Sequence, residues 1–231
     1  MGQNDLALAG KSLSELKPLA REVLYFLVDQ RRIERDVLLE QFWPEHMPGR
    51  QAANLHMAIY GLRRELGKEA IVLDGSAYQL SPSIKLDYDA DAFEHAAGLA
   101  RRLAPGDPRR LFALTEAVNT YGGAYLPGLS SSWVQERRRV LEARYLDLLA
   151  DAAGEAMVSA QPDAAVRFLR SALDVDPFRD DIHLRYLEAL GELGRQSEIV
   201  SHYRGYVRLL ADELGLDPPE PIRALYQRLI S

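Results

Sequence analysis

Apolar positions in the first third of the chain recur at helical spacing. In residues 14–29 they return every three or four positions, which predicts a first helix. The segment ERDVLLEQFW predicts a second helix that ends at Pro44. In RQAANLHMAIYGLRREL the steps again alternate between three and four, so a third helix buries one face. That face carries Ala52, Leu55, Ile59, Leu62 and Leu66.

The spacing then changes to that of strands. The segment AIVLDGSAYQL predicts two short strands around Asp74-Gly75, a dipeptide that readily takes the positive φ angles of a tight hairpin turn. Three helices and a hairpin predict a winged helix. Because Ser81-Pro82 breaks the pattern, we expect a winged-helix DNA-binding domain in residues 1–83 and a second domain in residues 84–231.

The rest of the chain has helical periodicity and almost no strand signal. The predicted helices cover residues 90–103, 109–121, 133–159, 163–175, 180–193 and 196–214, with a last helix ending in RALYQRLI. Short connections rich in turn residues, such as PGDP and DVDPF, favour antiparallel helix pairs.

An internal repeat refines this interpretation. DAAVRFLRSALDVDP, from Asp163, matches the pattern of SEIVSHYRGYVRLLA, from Ser197, at the 34-residue period of tetratricopeptide repeats (TPR). The expected fold class is therefore mostly α. A winged helix-turn-helix of three helices plus a short β-hairpin wing precedes an all-α, TPR-like helical-repeat domain. A generic helical bundle is the alternative, because only one repeat pair is clean.

Composition and charge narrow the classes of function. A net charge of −6 argues against broad adhesion to nucleic acid or anionic membrane. Residues 1–83 hold 10 Lys/Arg against 11 Asp/Glu, so any basic face is local. No apolar run approaches the roughly 20 residues of a spanning helix, and we expect a cytoplasmic protein without membrane contact. The lack of cysteine excludes disulfides, thiolate metal sites and cysteine nucleophiles.

The motifs of catalysis and metal binding are missing from the sequence. The five histidines have no HExxH-like spacing, so we expect no metal site. The run GLSSS at Gly128 lacks the GxSxG pattern of a nucleophile elbow, and a helix cap at Ser131 or Ser132 is the favoured interpretation. We therefore expect neither an enzyme nor a cofactor.

The third predicted helix carries the candidate chemistry. Its outward side chains are Arg50, Asn54, His56, Met57, Tyr60, Arg63 and Arg64. In a helix-turn-helix this helix enters the major groove and the wing touches adjacent backbone. The arginines suit phosphates or guanine edges, Asn54 suits adenine, and Met57 suits a thymine methyl. A solvated amphipathic helix with ordinary surface arginines is the alternative that the pattern leaves open.

Two family resemblances bear on this choice. Residues 16–80 resemble the effector domain of OmpR-type winged-helix regulators through REVLYFLVDQ, RDVLLEQFWP, RQAANLHMAIYGLRREL and YQL. Residues 89–230 resemble the bacterial transcriptional activator domain of the antibiotic regulatory protein (SARP) family. The matching motifs are AVNTYGGAYLPGLSSSWVQERRRVLEARY, FLRSALDVDPFRDDIHLRYLEALGELGR and HYRGYVRLLADELGLDPPEPIRALYQRL.

The resemblance implies a bacterial transcription regulator, with activation as the expected direction, that binds double-stranded promoter DNA. It also implies that the TPR-like domain contacts RNA polymerase, a second protomer or an effector. The alternative is a protein-interaction or oligomerisation module of a larger signalling regulator with little DNA binding of its own. The acidic balance favours this alternative, and so does the short stretch before the first helix, which leaves open that the chain is part of a longer regulator.

Overall fold

Residues 16–84 and 88–231 are described by the computed structural model. Their contacts form two compact units that divide between Tyr88 and Asp89. The N-terminal unit contains α1 (Pro18–Gln30), β1 (Arg32–Glu34), α2 (Arg35–Phe42), α3 (Pro48–Leu66), β2 (Ile71–Asp74) and β3 (Ala77–Leu80). The helical unit contains α4 (Asp89–Arg102), α5 (Arg110–Asn119), α6 (Ser132–Val158), α7 (Pro162–Val175), α8 (Asp180–Glu192), α9 (Gln196–Leu214) and α10 (Glu220–Ile230). The predicted fold class is confirmed.

The sheet of the N-terminal unit has one strand more than the predicted hairpin. Its order is β1-β3-β2, with antiparallel neighbours, and Ile33 of β1 lies opposite Tyr78. Strand β1 was not predicted, because three residues are too few to show a period of two. The hairpin turn consists of Gly75 and Ser76, since Asp74 is the last residue paired across it, and Gly75 has the positive φ of 64°.

The helical unit is built from stacked helix pairs. Helix α6 packs on α7, and α7 packs on α8, around a shared apolar core. Helices α7 and α9 begin 34 residues apart, in the predicted register. Gly191 of α8 permits the close approach of α10, because a Cβ there would lie 2.6 Å from a methyl carbon of Leu229. Each pair thus covers an apolar face that its neighbour exposes.

A buried carboxylate ties α6 to the segment between α4 and α5. Glu155 is 6% exposed, and its Oε2 lies 3.3 Å from Nε of Arg110, whose side chain is 12% exposed. The backbone N–H of Gly106 donates to Glu155 Oε1 at 3.0 Å, and Arg110 also donates to the carbonyl of Leu103. Both charges therefore have partners where water is largely excluded, which is the condition for keeping an ion pair inside a fold.

Arg138 of α6 holds the loop that carries the GGAYLPG motif. Its guanidinium donates to the carbonyls of Tyr125 and Leu126 at 3.0 Å and to that of Leu129 at 3.2 Å. The loop then enters α6 through Ser131, the predicted N-cap position, although its buried hydroxyl makes no hydrogen bond. The arginine, rather than the cap, fixes this loop.

Two histidines form a hydrogen-bonded pair between α8 and α9. His183 Nε2 lies 2.9 Å from the carbonyl of Pro177, which can only accept, so Nε2 carries the proton. His183 Nδ1 must then accept from Nε2–H of His202, which lies 2.9 Å away. Burial lowers the pKa of both rings, that of His202 to about 4. The pair is therefore neutral at pH 7.

We expect Glu155→Ala to lower the free energy of unfolding by about 3–5 kcal/mol, because Arg110 would remain buried without its carboxylate. Chemical denaturation in urea measures this loss. Glu136→Ala is the matched control on the same helix, where Glu136 pairs with Arg139 at the surface, and it should cost under about 1 kcal/mol. Equal losses for the two variants would contradict the assigned role of Glu155.

We expect acidification to destabilise the helical unit through the histidine pair. A ring whose folded pKa lies below its unfolded value of about 6.5 takes up a proton on unfolding, so its stabilisation is complete above pH 6.5. For His202 it is lost as the pH falls from 6.5 through about 4, at up to about 1.4 kcal/mol per pH unit.

Urea denaturation at pH 7.5, 6 and 5 tests this expectation. His202→Gln should flatten the dependence, whereas His95→Gln, at an exposed position of α4, should retain the wild-type slope. Parallel curves for wild type and His202→Gln would show that the pair does not carry the effect.

Candidate nucleic-acid interface

Helix α3 is fixed in rotation and at its N-terminal end. Leu55, Ile59 and Leu62 are buried and hold one stripe of the helix against the core. Pro48 occupies the first turn, where its missing N–H costs nothing. The Gln51 side chain donates to the carbonyl of Trp43 at 2.7 Å and so closes the turn between α2 and α3. The stripe and the turn together decide which side chains α3 turns outward.

Of the seven predicted residues of α3, five are exposed. They are Arg50, His56, Met57, Tyr60 and Arg64. Asn54 is half-buried because it lines an open groove of about 320 Å³ between α3 and the start of α1. The same groove is bordered by Lys17, Leu19, Trp43, Met57, Tyr60, Gly61 and Arg64. The outward face therefore has a concave margin on its α1 side.

Arg63 has a different environment from the other six. It is half-buried, and both its Nε, at 3.0 Å, and its Nη2, at 2.7 Å, donate to the carbonyl of Ile71 in β2. The guanidinium that was predicted to contact a phosphate or a guanine is thus engaged inside the unit, where it ties α3 to the wing. Sequence patterns carry no signal for this contact, because the acceptor is a backbone carbonyl.

The two remaining arginines of α3 lie near opposite ends of its outward face. Arg50 is in the first turn, and Arg64 is about 21 Å further along the helix axis. Arg64 pairs with the adjacent Glu65 at 2.7 Å, with two-thirds of its side chain exposed. Glu65 is about a quarter exposed, and a pair at the surface stabilises the fold by about 0–1 kcal/mol, so a phosphate can replace this carboxylate at small cost.

The wing tip carries a charge network that sequence analysis missed. Arg32 of β1 lies 2.7 Å from a Glu34 carboxylate oxygen and 3.6 Å from one of Asp74. Ser76 donates to the other oxygen of Glu34 at 2.6 Å. These hydrogen bonds, from Ser76 first and Arg32 second, lower the pKa of Glu34. One guanidinium thus faces two carboxylates at the part of a wing that approaches DNA backbone.

Residues 16–84 and 88–231 bear on two further kinds of site, metal centres and membrane spans. That part of the chain contains no group of three or more His, Asp or Glu residues arranged to hold a metal ion. Nor does it contain a helix both long and apolar enough to cross a bilayer. The candidate site consists of the outward face of α3 and the wing.

The family profile described as bacterial transcriptional activator domain matches residues 88–230. Among curated proteins, the transcriptional regulatory protein MoaR1 of Mycobacterium tuberculosis is 26% identical, over all of this chain and 78% of its own length. The regulatory protein AfsR of Streptomyces coelicolor is 27% identical, over 96% of this chain and 23% of its own length. The likeness to MoaR1 therefore extends over both units.

A solved structure has the same fold. It is that of Mycobacterium tuberculosis EmbR in complex with a low-affinity phosphopeptide, with a TM-score of 0.67 and 24% identity. The match covers 96% of this chain and 61% of the EmbR chain. This chain thus spans less than two-thirds of EmbR and about a quarter of AfsR.

We expect Arg63→Ala to loosen the wing, because the Ile71 carbonyl would lose both of its side-chain donors. The cost should be about 1–2 kcal/mol in unfolding free energy, with faster amide hydrogen exchange in β2 and β3. Arg64→Ala removes the neighbouring, exposed guanidinium and is the matched control. Unchanged amide hydrogen exchange of β2 and β3 in Arg63→Ala would contradict the proposed link between Arg63 and the wing.

Proposed function

The chain belongs to the bacterial transcriptional activator domain family, a family of bacterial transcriptional regulators, and we propose that it regulates promoters by binding duplex DNA through its winged helix. The observation that carries this proposal is the outward face of α3, which is mounted on a helix-turn-helix and braced against a wing. An exposed helix of this width fits the major groove. The family name supports activation as the direction of regulation.

In the proposed complex, each end of α3 holds the DNA backbone. Arg50 and Arg64 contact phosphates and set the register, whereas Asn54, His56, Met57 and Tyr60 face base edges. Arg63 acts indirectly by keeping the wing in place. These roles follow from how exposed each side chain is and from the hydrogen bonds it already makes. The Arg63 guanidinium donates twice to a buried carbonyl, so detaching it is costly.

The electrostatic contribution to binding is small in this proposal. Only Arg50 and Arg64 of α3 are assigned to phosphates, and residues 1–83 are close to neutral, so few condensed counterions are released when the unit meets DNA. Nonspecific affinity should therefore be weak and lost at moderate salt. A DNA-binding regulator of this kind acts in the cytoplasm, where the bacterial chromosome lies.

We propose that the helical unit supplies the protein contact, with RNA polymerase or a second protomer as the partner. Support comes from an open groove between α9 and α10. There Tyr203 stacks on Tyr226 at 3.9 Å beside Arg204 and Arg208. Aromatic rings next to arginines are typical of protein interfaces, and the positive charge of the two arginines suits an acidic partner segment.

The alternative, a protein-interaction module with little DNA binding, is favoured by the exposed apolar side chains on α3. Met57 is 62% exposed and Tyr60 is 57% exposed. Under this alternative the winged helix would be a packing surface. The alternative predicts that no labelled duplex binds in a fluorescence anisotropy assay, even at low salt.

Fluorescence anisotropy with labelled duplexes over a series of salt concentrations tests the proposed function. We expect Arg50→Ala and Arg64→Ala each to weaken binding to all sequences and to reduce the salt slope by about 1, because each removes one phosphate contact. Arg228→Ala makes the same charge change on exposed α10 and should leave both quantities unchanged.

Gly61→Arg is the converse variant. A Cβ at Gly61 would meet no atom within 4 Å, and the residue lies on α3 between Met57 and Arg64, so an added guanidinium should strengthen binding. Absence of binding by the wild type at about 50 mM salt would refute the proposed function.

A further inference from the structure

The middle of the outward face of α3 is apolar. A helix turns about 100° per residue, so Ala53, Met57 and Tyr60 lie on one line, on the side opposite Leu55, Ile59 and Leu62. All three residues on that line are exposed. Along the axis they span about 10 Å, which is about three base steps.

The polar groups of α3 lie around this line. Arg50 and Arg64 are near the two ends, Asn54 is half-buried at the groove beside α1, and the exposed His56 lies on the other side of the line. Arg63 lies at the edge of the buried stripe and gives Nε and Nη2 to the Ile71 carbonyl. The positions that would meet the central base pairs therefore present a methyl group, a thioether and an aromatic ring.

We propose that the chain recognises its operator mainly through the C5-methyl groups of two or three thymines in the major groove, read by Ala53, Met57 and Tyr60. This inference rests on the proposed function and adds the chemical class of site that the face accepts. Of the four natural bases, thymine alone presents a methyl group in the major groove. The core of the operator is therefore rich in A·T pairs.

The proposal accounts for the large apolar exposure on α3. Contact between these exposed methionine and tyrosine side chains and methyl groups is favourable, because it removes apolar surface of both partners from water. Arginine or asparagine reading guanine or adenine would instead require hydrogen-bond donors at the centre of the face. Met57 and Tyr60 are both more than half exposed on this line. Readout by hydrogen bonds would not use their apolar surfaces.

Deoxyuridine substitution isolates the methyl group. Uracil pairs like thymine and keeps the O4 acceptor, so it removes the methyl and leaves the hydrogen-bonding pattern of the base edge intact. The probe is the duplex that the wild-type chain enriches from a randomised library, with each thymine replaced in turn. We expect about a fourfold loss of affinity at each of two or three neighbouring thymines.

Variants of α3 assign the effect. Met57→Ala and Tyr60→Ala should bind the thymine duplex more weakly and each lose sensitivity to uracil at one or two of those positions. Met47→Ala is the matched control, because Met47 is 76% exposed but precedes α3 and lies off the apolar line, so its uracil sensitivity should equal that of the wild type. Thermal unfolding checks that the variants remain folded.

The possible outcomes distinguish the proposed DNA-binding function from the methyl readout. If the library yields no enriched duplex, both the proposed function and the methyl readout are overturned. If a duplex is enriched but uracil is tolerated at every position, only the methyl readout is overturned. Uracil sensitivity that persists unchanged in Met57→Ala and Tyr60→Ala would mean that DNA shape, rather than these side chains, reads the site.

Discussion

The burial of Leu55, Ile59 and Leu62 is the interaction on which the N-terminal unit depends. A helix can turn only one stripe inward, so these three residues fix the rotation of α3 and thereby select everything that faces outward. The same rotation puts Arg63 at the edge of the buried stripe, within reach of the Ile71 carbonyl. The reading face and the attachment of the wing therefore have one cause, which is the position of the stripe.

Buried and half-buried charges have a comparable role in the helical unit. Glu155 meets Arg110 and a backbone N–H, and Arg138 gathers three carbonyls of the loop before α6. Stacked helices cover one another's apolar faces, but the loops between them leave polar backbone groups that need partners. Long charged side chains supply those partners. Several arginines that look like surface residues in the sequence thus determine where loops run.

Periodicity predicted the helices well, because apolar stripes on long helices are strong signals. The bounds of α9 agree with the prediction, and those of α7 and α8 agree within one residue. Strand β1 was missed, since a three-residue strand exists only through its pairing with β3. The outward set on α3 followed from its stripe, whereas the engagement of Arg63 did not, because the sequence does not reveal where a distant carbonyl points. The wing-tip network around Arg32 was missed for the same reason.

The near-neutral charge of residues 1–83 and the apolar line on α3 have a joint consequence for recognition. Phosphate contacts form equally well on any DNA sequence, so a strongly basic DNA-binding domain is bound at nonspecific sites much of the time. A reader with two outward arginines and an apolar centre gains less from the backbone and more from the bases it fits. Its affinity for the right site is then modest, but the ratio of specific to nonspecific binding can still be large. Such a reader benefits from a second attachment, since linking two weak contacts raises the effective concentration of each. In the proposed function, the helical unit, joined to the reader in one chain, supplies that second contact through a protein partner.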